Sequence, residues 1–156
     1  MELGSSTTTN PIAMGERLYT VYQFLDLLNH QGAAFVRPDL SLAGGITNVK
    51  KISAIAEANY VGVVPHNPLS CVLTAACVQI DAATHNIPVQ EYPHDDDKGI
   101  KADLVTEPLK RVGGYLEIPT KPGIGIELNE EAFKHYPPVP YERPALINPD
   151  GSLREY

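Results

Sequence analysis

The chain has 156 residues, of which 43% are apolar and 20% charged, and its formal net charge is −7. This composition is typical of one packed globular domain and excludes disordered and collagen-like chains. Lysine and arginine form only short pairs, so we expect no nucleic-acid partner. No apolar run approaches the roughly 20 residues that span a bilayer, and residues 1–10 form a polar leader without the features of a signal peptide. We therefore expect no membrane association and a cytoplasmic location.

Four short and nearly continuous apolar runs follow the leader. They cover residues 11–16, 34–39, 61–66 and 87–91. Runs of this length, apolar at consecutive positions, are typical of parallel strands that are buried on both faces. The sequence therefore predicts four parallel strands.

Helical patterns separate these runs. Residues 20–28 place four apolar side chains on one helix face, namely Val21, Phe24, Leu25 and Leu28. Residues 48–59 are a second helical window, for which Thr47 is the predicted N-cap and Asn59 the predicted end. Residues 70–83 are apolar on nearly all sides, which is typical of a helix packed into a large interface.

The alternation of strands and helices predicts the fold class. Strand-helix units joined by right-handed crossovers give an α/β fold with a parallel sheet, and four units in residues 11–91 make half of a (β/α) barrel. Residues 92–156 are rich in proline, glycine and charge, with one helical turn predicted at 129–135, and we expect them to form an irregular C-terminal wrapping segment. Half a barrel leaves open sheet edges, so we expect a homo-oligomer or aggregation.

An ionisable residue ends each predicted strand: Glu16, Asp39, His66 and Glu91. Because catalytic groups of a barrel lie at the C-terminal ends of its strands, these four side chains are expected to converge on one mouth. Ionisable residues also begin ordinary solvated loops, so any one of them alone could be a surface charge. Their recurrence in four consecutive units favours an active site.

Three other local features are predicted to be structural. Cys71 and Cys77 lack the spacing of a zinc or redox site, so we expect buried free thiols. Gly44 and Gly45 are expected to form a tight turn into a helix, because no full phosphate-binding fingerprint follows them. Residues 94–97, a histidine and three aspartates, are expected to be a solvated loop.

Several stretches together resemble the mandelate racemase branch of the enolase superfamily, and within it galactonate dehydratase-like enzymes. They are residues 11–20, 37–47, 64–69, 89–91 and 122–127, which read PIAMGERLYT, RPDLSLAGGIT, VPHNPL, VQE and PGIGIE. The resemblance implies the C-terminal half of a (β/α)7β TIM-like barrel.

The same resemblance implies a role for each strand-end residue. Glu16 would be the last of three carboxylate ligands of Mg²⁺, and Asp39 and His66 would form an acid-base dyad. Glu91 would donate a hydrogen bond to the substrate carboxylate. The implied reaction abstracts the proton next to the carboxylate of a small acid sugar such as galactonate and eliminates water, which gives a 2-keto-3-deoxy acid.

The chain also departs from the family pattern, and this leaves alternatives open. Only one of the expected metal carboxylates is found, so an inactive truncated remnant or an assembly module is one alternative, and a racemase or epimerase that uses the same dyad is another. Arg37 lies two residues before Asp39, where relatives usually carry an uncharged side chain. We expect Arg37 to pair with a carboxylate such as Glu16, which would compete with metal binding.

Overall fold

The computed structural model describes residues 9–141, 147–148 and 150–152. Within them, three of the four predicted strands form a parallel sheet in the order β1 (Ala13–Met14), β2 (Phe35–Val36) and β3 (Gly62–Val63). In the register of the sheet, Ala13 lies opposite Phe35, and Phe35 lies opposite Gly62. A further parallel bridge joins Asp39 to His66 beyond the strand ends. The sheet therefore carries two of the predicted site residues side by side.

The fourth predicted strand, residues 87–91, is not a strand in the described part of the chain. Two hydrogen bonds hold this segment beside β3 and the residues that follow it. The Asn86 carbonyl accepts from the Val63 N–H at 2.8 Å, and the Gln90 side chain donates to the Pro65 carbonyl at 3.3 Å. Pro88 has no N–H group, so it cannot donate to a sheet ladder. The apolar pattern therefore predicted both a strand and a buried run that the structure does not show, since Pro88 is exposed and Val89 is 59% exposed.

Helix α1 (Val21–Asn29) begins where the sequence predicts it. Thr20 caps it, because its hydroxyl accepts from the N–H of Gln23 while the Gln23 side chain accepts from the N–H of Thr20. The predicted apolar face is shifted, since Leu27 is buried whereas Leu25 is 40% exposed. The helix packs mainly through Phe24, Leu27 and Leu28.

Helix α2 (Gly45–Ala58) begins earlier than predicted, and the assignment of Thr47 as its N-cap is wrong. Gly44 occupies the cap with φ +87°, and Gly45 has φ +78°. The left-handed backbone of Gly44 is the reason for glycine at this turn, and any side chain there would also displace the end of the Asn48 side chain. The predicted glycine turn is confirmed, and the helix ends before Asn59 as predicted.

Helix α3 (Cys71–Ala82) lies within the predicted window, and the Ser70 hydroxyl caps it by accepting from the N–H of Leu73. Cys71 and Cys77 are both buried free thiols, as predicted. Burial raises the pKa of both thiols. Together α1, α2 and α3 cover the sheet with one apolar core, whose members are Phe24, Leu27, Leu28, Ala33, Val36, Leu40, Ala43, Val49, Ile52, Ala56, Val63, Leu73, Cys77 and Ile80.

The C-terminal segment has shorter elements: α4 (Gly99–Asp103), an antiparallel hairpin of β4 (Arg111–Val112) and β5 (Tyr115–Leu116), and α5 (Ala132–His135), which falls inside the predicted turn at 129–135. An antiparallel bridge between Val105 and Leu128 ties this segment together. Residues 1–8 of the predicted leader lie outside the described residues. No helix of the described chain is long and apolar enough to cross a membrane.

Candidate active site

Asp39 and His66 form a hydrogen-bonded pair at the ends of neighbouring strand segments. His66 Nδ1 lies 3.0 Å from Asp39 Oδ2, and the side chains are 19% and 1% exposed, respectively. The parallel bridge between the two residues fixes their backbones in register, so the side chains project from adjacent positions of the sheet. The buried carboxylate thus holds a histidine that remains accessible from outside.

The other oxygen of Asp39 is held by the loop that follows it. Oδ1 accepts from the backbone N–H groups of Ser41 at 2.8 Å and Leu42 at 3.2 Å, and also from the Ser41 hydroxyl. These donors fix the orientation of the carboxylate, so that Oδ2 stays directed at His66.

This arrangement determines how the imidazole can act. In a neutral ring, the nitrogen that faces a carboxylate carries the proton, which assigns the hydrogen to Nδ1 and leaves Nε2 as the nitrogen able to accept one. Asp39 also stabilises the imidazolium that forms when Nε2 is protonated. The pair is therefore equipped to remove a proton from a bound molecule or to return one.

Glu91 lies in a second polar cluster next to this pair. Its Oε2 accepts from Arg37 Nη2 at 2.7 Å and from the backbone N–H of Asn67 at 2.9 Å. Arg37 pairs with a carboxylate as predicted, but the partner is Glu91 and not Glu16. The backbone N–H of Asn67 holds the same Glu91 oxygen. Since Asn67 follows His66 directly in the chain, this hydrogen bond joins Glu91 to the segment that carries the histidine of the Asp39-His66 pair.

Glu16 follows β1 and is partly buried. Hydrogen bonding by its own backbone N–H lowers its pKa most, and desolvation opposes this, while the N–H of Gly15 and the charges of Arg37 and His66 lower the pKa further. The four predicted strand-end residues are thus brought to one end of the sheet. Their individual catalytic roles stay predictions.

The fit of Mg²⁺ to this site depends on carboxylates. Glu16 has the hard oxygen chemistry that Mg²⁺ prefers, and no ion pair of the described residues involves it. However, the described residues contain no group of three His, Cys, Asp or Glu side chains placed to hold a metal ion. The chain can supply one carboxylate ligand but does not by itself fit a complete magnesium site.

Sequence reasoning missed Asn67, which is fully buried beside the site. Its side-chain Nδ2 donates to the hydroxyl of Thr74 at 2.7 Å and to the backbone carbonyl of Glu91 at 3.0 Å. The Thr74 hydroxyl in turn donates to Asp96. The only signal in the sequence was its position directly after His66.

Asp96 also corrects a prediction. Residues 94–97 were expected to be a solvated loop, but Asp96 is buried, and desolvation raises the pKa of its carboxyl while the hydrogen bond from Thr74 opposes the rise. Lys101 lies 3.9 Å from Asp96 and 2.9 Å from Asp95. The acidic loop is therefore anchored to α3 beneath the site.

Comparison with known proteins identifies the class to which this fold and site belong. Residues 2–132 match the family model described as enolase C-terminal domain-like, and the chain belongs to that family. The predicted superfamily and the predicted fold class, a partial barrel of TIM type, are confirmed.

The curated relatives narrow this class. The chain is 36% identical, over an alignment 159 positions long, to proteins named D-galactonate dehydratase from Variovorax paradoxus and Xanthomonas campestris. In both cases the match covers 97% of this chain and 42% of the relative. The chain therefore spans about 42% of the length of the curated relatives that it matches.

Solved structures agree with this assignment. An enolase from Agrobacterium radiobacter, whose crystal structure holds Na and L-malate, matches with a TM-score of 0.81 and 36% identity over 92% of this chain and 40% of that one. A mandelate racemase/muconate lactonizing enzyme-like protein from Rubrobacter xylanophilus matches with a TM-score of 0.75 and 36% identity over 83% of this chain and 34% of that one.

Proposed function

We propose that this chain carries the acid-base machinery of a magnesium-dependent hydro-lyase that dehydrates a small acid sugar such as galactonate. The observation that carries the proposal is the pair formed by His66 Nδ1 and the buried Asp39 carboxylate at 3.0 Å. The names of the relatives, D-galactonate dehydratase at 36% identity, support the substrate class.

The reaction requires two proton transfers. His66 Nε2 takes the proton from the carbon next to the substrate carboxylate, and the electrons of that C–H bond form an enediolate. The hydroxyl on the neighbouring carbon then leaves with a proton as water, and the resulting enol tautomerises to a 2-keto-3-deoxy acid. His66 can perform either transfer, as the base that opens the reaction or as the acid that protonates the leaving hydroxyl.

Glu16 would hold Mg²⁺ as one carboxylate ligand, and the remaining ligands would come from groups outside this chain. A bound Mg²⁺ would stabilise negative charge on the substrate carboxylate. The described residues contain no group of three such ligands, which favours the alternative that the chain alone is an inactive module of the family. Cytoplasmic location and self-association stay predictions.

The test is the variant His66→Asn in the full 156-residue chain. The purified chain is incubated with D-galactonate and Mg²⁺, and the 2-keto product is measured by its semicarbazone absorbance. We expect any turnover, by the chain alone or in a complex that supplies the remaining Mg²⁺ ligands, to be lost in His66→Asn, because asparagine cannot accept the proton. His85→Asn is the matched control, since His85 is 78% exposed and pairs with Glu57 instead.

Each result decides between the alternatives. Turnover retained by His66→Asn would contradict the dyad assignment. Product absent from the folded, unchanged chain would identify it as an inactive module. The same incubation in D₂O, with deuterium incorporated next to the carboxylate and no loss of water, would indicate racemisation or epimerisation.

A further inference from the structure

The side chain of Arg37 pairs with one carboxylate of the candidate site, and its charge also lowers the pKa of Glu16. Its Nη2 is 2.7 Å from Glu91 Oε2, and the side chain is 25% exposed. The described contacts of the guanidinium involve this single nitrogen, although an arginine side chain has five N–H donors. Arg37 therefore has donors left for a bound molecule.

One carboxylate oxygen of Glu91 is already held by two N–H donors of this chain. Its Oε2 accepts two N–H groups, from Arg37 and from the backbone of Asn67. Its backbone carbonyl accepts from the Asn67 side chain, which is fully buried and also bonded to Thr74. This series of hydrogen bonds fixes the Glu91 carboxylate and, through it, one edge of the guanidinium.

The charges around Arg37 indicate which kind of molecule its remaining N–H donors would bind. Asp39, Glu91 and Glu16 are three carboxyl groups at the same end of the sheet, and their negative charges repel an anionic substrate. The planar guanidinium is suited to bind a carboxylate through two parallel N–H···O bonds. A carboxylate bound to Arg37 would lie next to the Asp39-His66 pair.

We propose that Arg37 binds the carboxylate of the acid-sugar substrate and that Glu91 and Asn67 are positioning residues that orient Arg37. The proposal rests on the proposed function and changes the role of Glu91, which the family resemblance implies to be a direct substrate contact. It predicts recognition of sugar acids and rejection of the corresponding uncharged polyols.

The test measures binding without turnover. The full chain is titrated with D-galactonate, and separately with galactitol, in which an alcohol group replaces the carboxylate; EDTA removes metal from both titrations, and binding is followed by NMR. We expect saturable binding of D-galactonate only. Arg37→Gln should weaken it about tenfold to a hundredfold, the usual size of a charged hydrogen-bond pair. Arg111→Gln is the matched control, because Arg111 belongs to the C-terminal hairpin and its guanidinium lies over the ring of Tyr92.

Variants of Glu91 test the positioning role. Glu91→Gln keeps an oxygen that can accept from Arg37, whereas Glu91→Ala removes it. We expect Glu91→Gln to retain most of the preference for D-galactonate over galactitol and Glu91→Ala to lose it, with both variants giving the NMR spectrum of a folded chain.

Three results would overturn the proposal: no saturable D-galactonate binding by the unchanged chain, unchanged binding by Arg37→Gln, or equal binding of galactitol. These outcomes are separate from failure of the proposed function. A chain that binds D-galactonate through Arg37 but forms no product keeps this inference and loses the dehydratase proposal.

Discussion

The segments before and after residue 92 differ in how they bury apolar side chains. Every buried hydrophobic residue of the described chain precedes residue 92, except Val105 and Ala132. The later segment leaves large apolar side chains exposed, among them Val112, Tyr115, Ile118, Val139 and Tyr141. Long helices with an apolar face can complete a core against a sheet. The described part of the second segment has only helices of five and four residues and a hairpin with two-residue strands, which are too short to do so.

The difference locates most of the buried core in the first segment, whereas both segments expose large apolar side chains. The first segment supplies the core and the dyad, and exposed apolar side chains of the kind that mark contact sites lie in both segments, for example Tyr60 and Tyr115. The predicted self-association would use such side chains, and it stays a prediction.

The largest expected effect contrasts two phenylalanines, one in each segment. Phe24 is 0% exposed in the core, whereas Phe133 in α5 is 47% exposed. Phe24→Ala should lower the free energy of unfolding by about 3 to 5 kcal/mol, and Phe133→Ala by less than about 1 kcal/mol. Urea denaturation followed by circular dichroism measures both. Equal losses would show that the two segments share one core.

A smaller effect is expected at Asp81, which lines a groove between α3 and the β4-β5 hairpin. Desolvation raises the pKa of Asp81 to about 7, and its Oδ1 has no hydrogen-bond partner among the described residues. At pH 8 the folded chain must hold this carboxylate charged and poorly solvated. Asp81→Asn should therefore stabilise the fold at that pH by about 1 to 2 kcal/mol, after allowance for partial solvent screening.

The pH dependence of this gain provides its control. Below the ordinary pKa of 3.8 the carboxyl is protonated in both the folded and the unfolded chain, so the substitution should have little effect. Between about pH 4 and pH 7 the unfolded chain loses the proton first, so the gain grows with pH and is constant above that range. Urea midpoints at pH 3.5, 5.5 and 8 test this, and a gain independent of pH would contradict the desolvation argument.

The smallest effect is expected for the ion pair of Glu107 and Lys121 in the second segment. The pair spans 2.8 Å, but its side chains are 73% and 59% exposed. The lysine lowers the pKa of Glu107 by hydrogen bonding and charge, yet solvent screens such pairs strongly. Glu107→Gln should leave the urea midpoint unchanged within error at low and high salt. A salt-dependent loss would assign this segment a stabilising role that its burial does not indicate.

Helices were predictable from the sequence because their signals are local. Thr20 and Ser70 each cap the helix that begins at the next residue. The spacing of apolar residues in α1 and α3 can likewise be seen within a dozen consecutive residues. The start of α2 was missed, because its cap is the left-handed backbone of Gly44 and not a side-chain hydrogen bond. The fourth strand was wrongly predicted, because Pro88 cannot donate to the sheet pairing that the apolar pattern suggests.

The four strand-end residues of the site were predictable, and the family resemblance implied the Asp39-His66 pair, but the partners of Arg37 and Glu91 were not predictable. The sequence by itself determined that Glu16, Asp39, His66 and Glu91 follow apolar runs, and the geometry of parallel strands then places such residues at one end of the sheet. Only the tertiary structure decided that Arg37 pairs with Glu91, 54 positions away, and that the buried Asn67 holds Glu91 across 24 positions. These partners meet through the packing of loops around the sheet, and the sequence has no periodic signal for contacts of that kind.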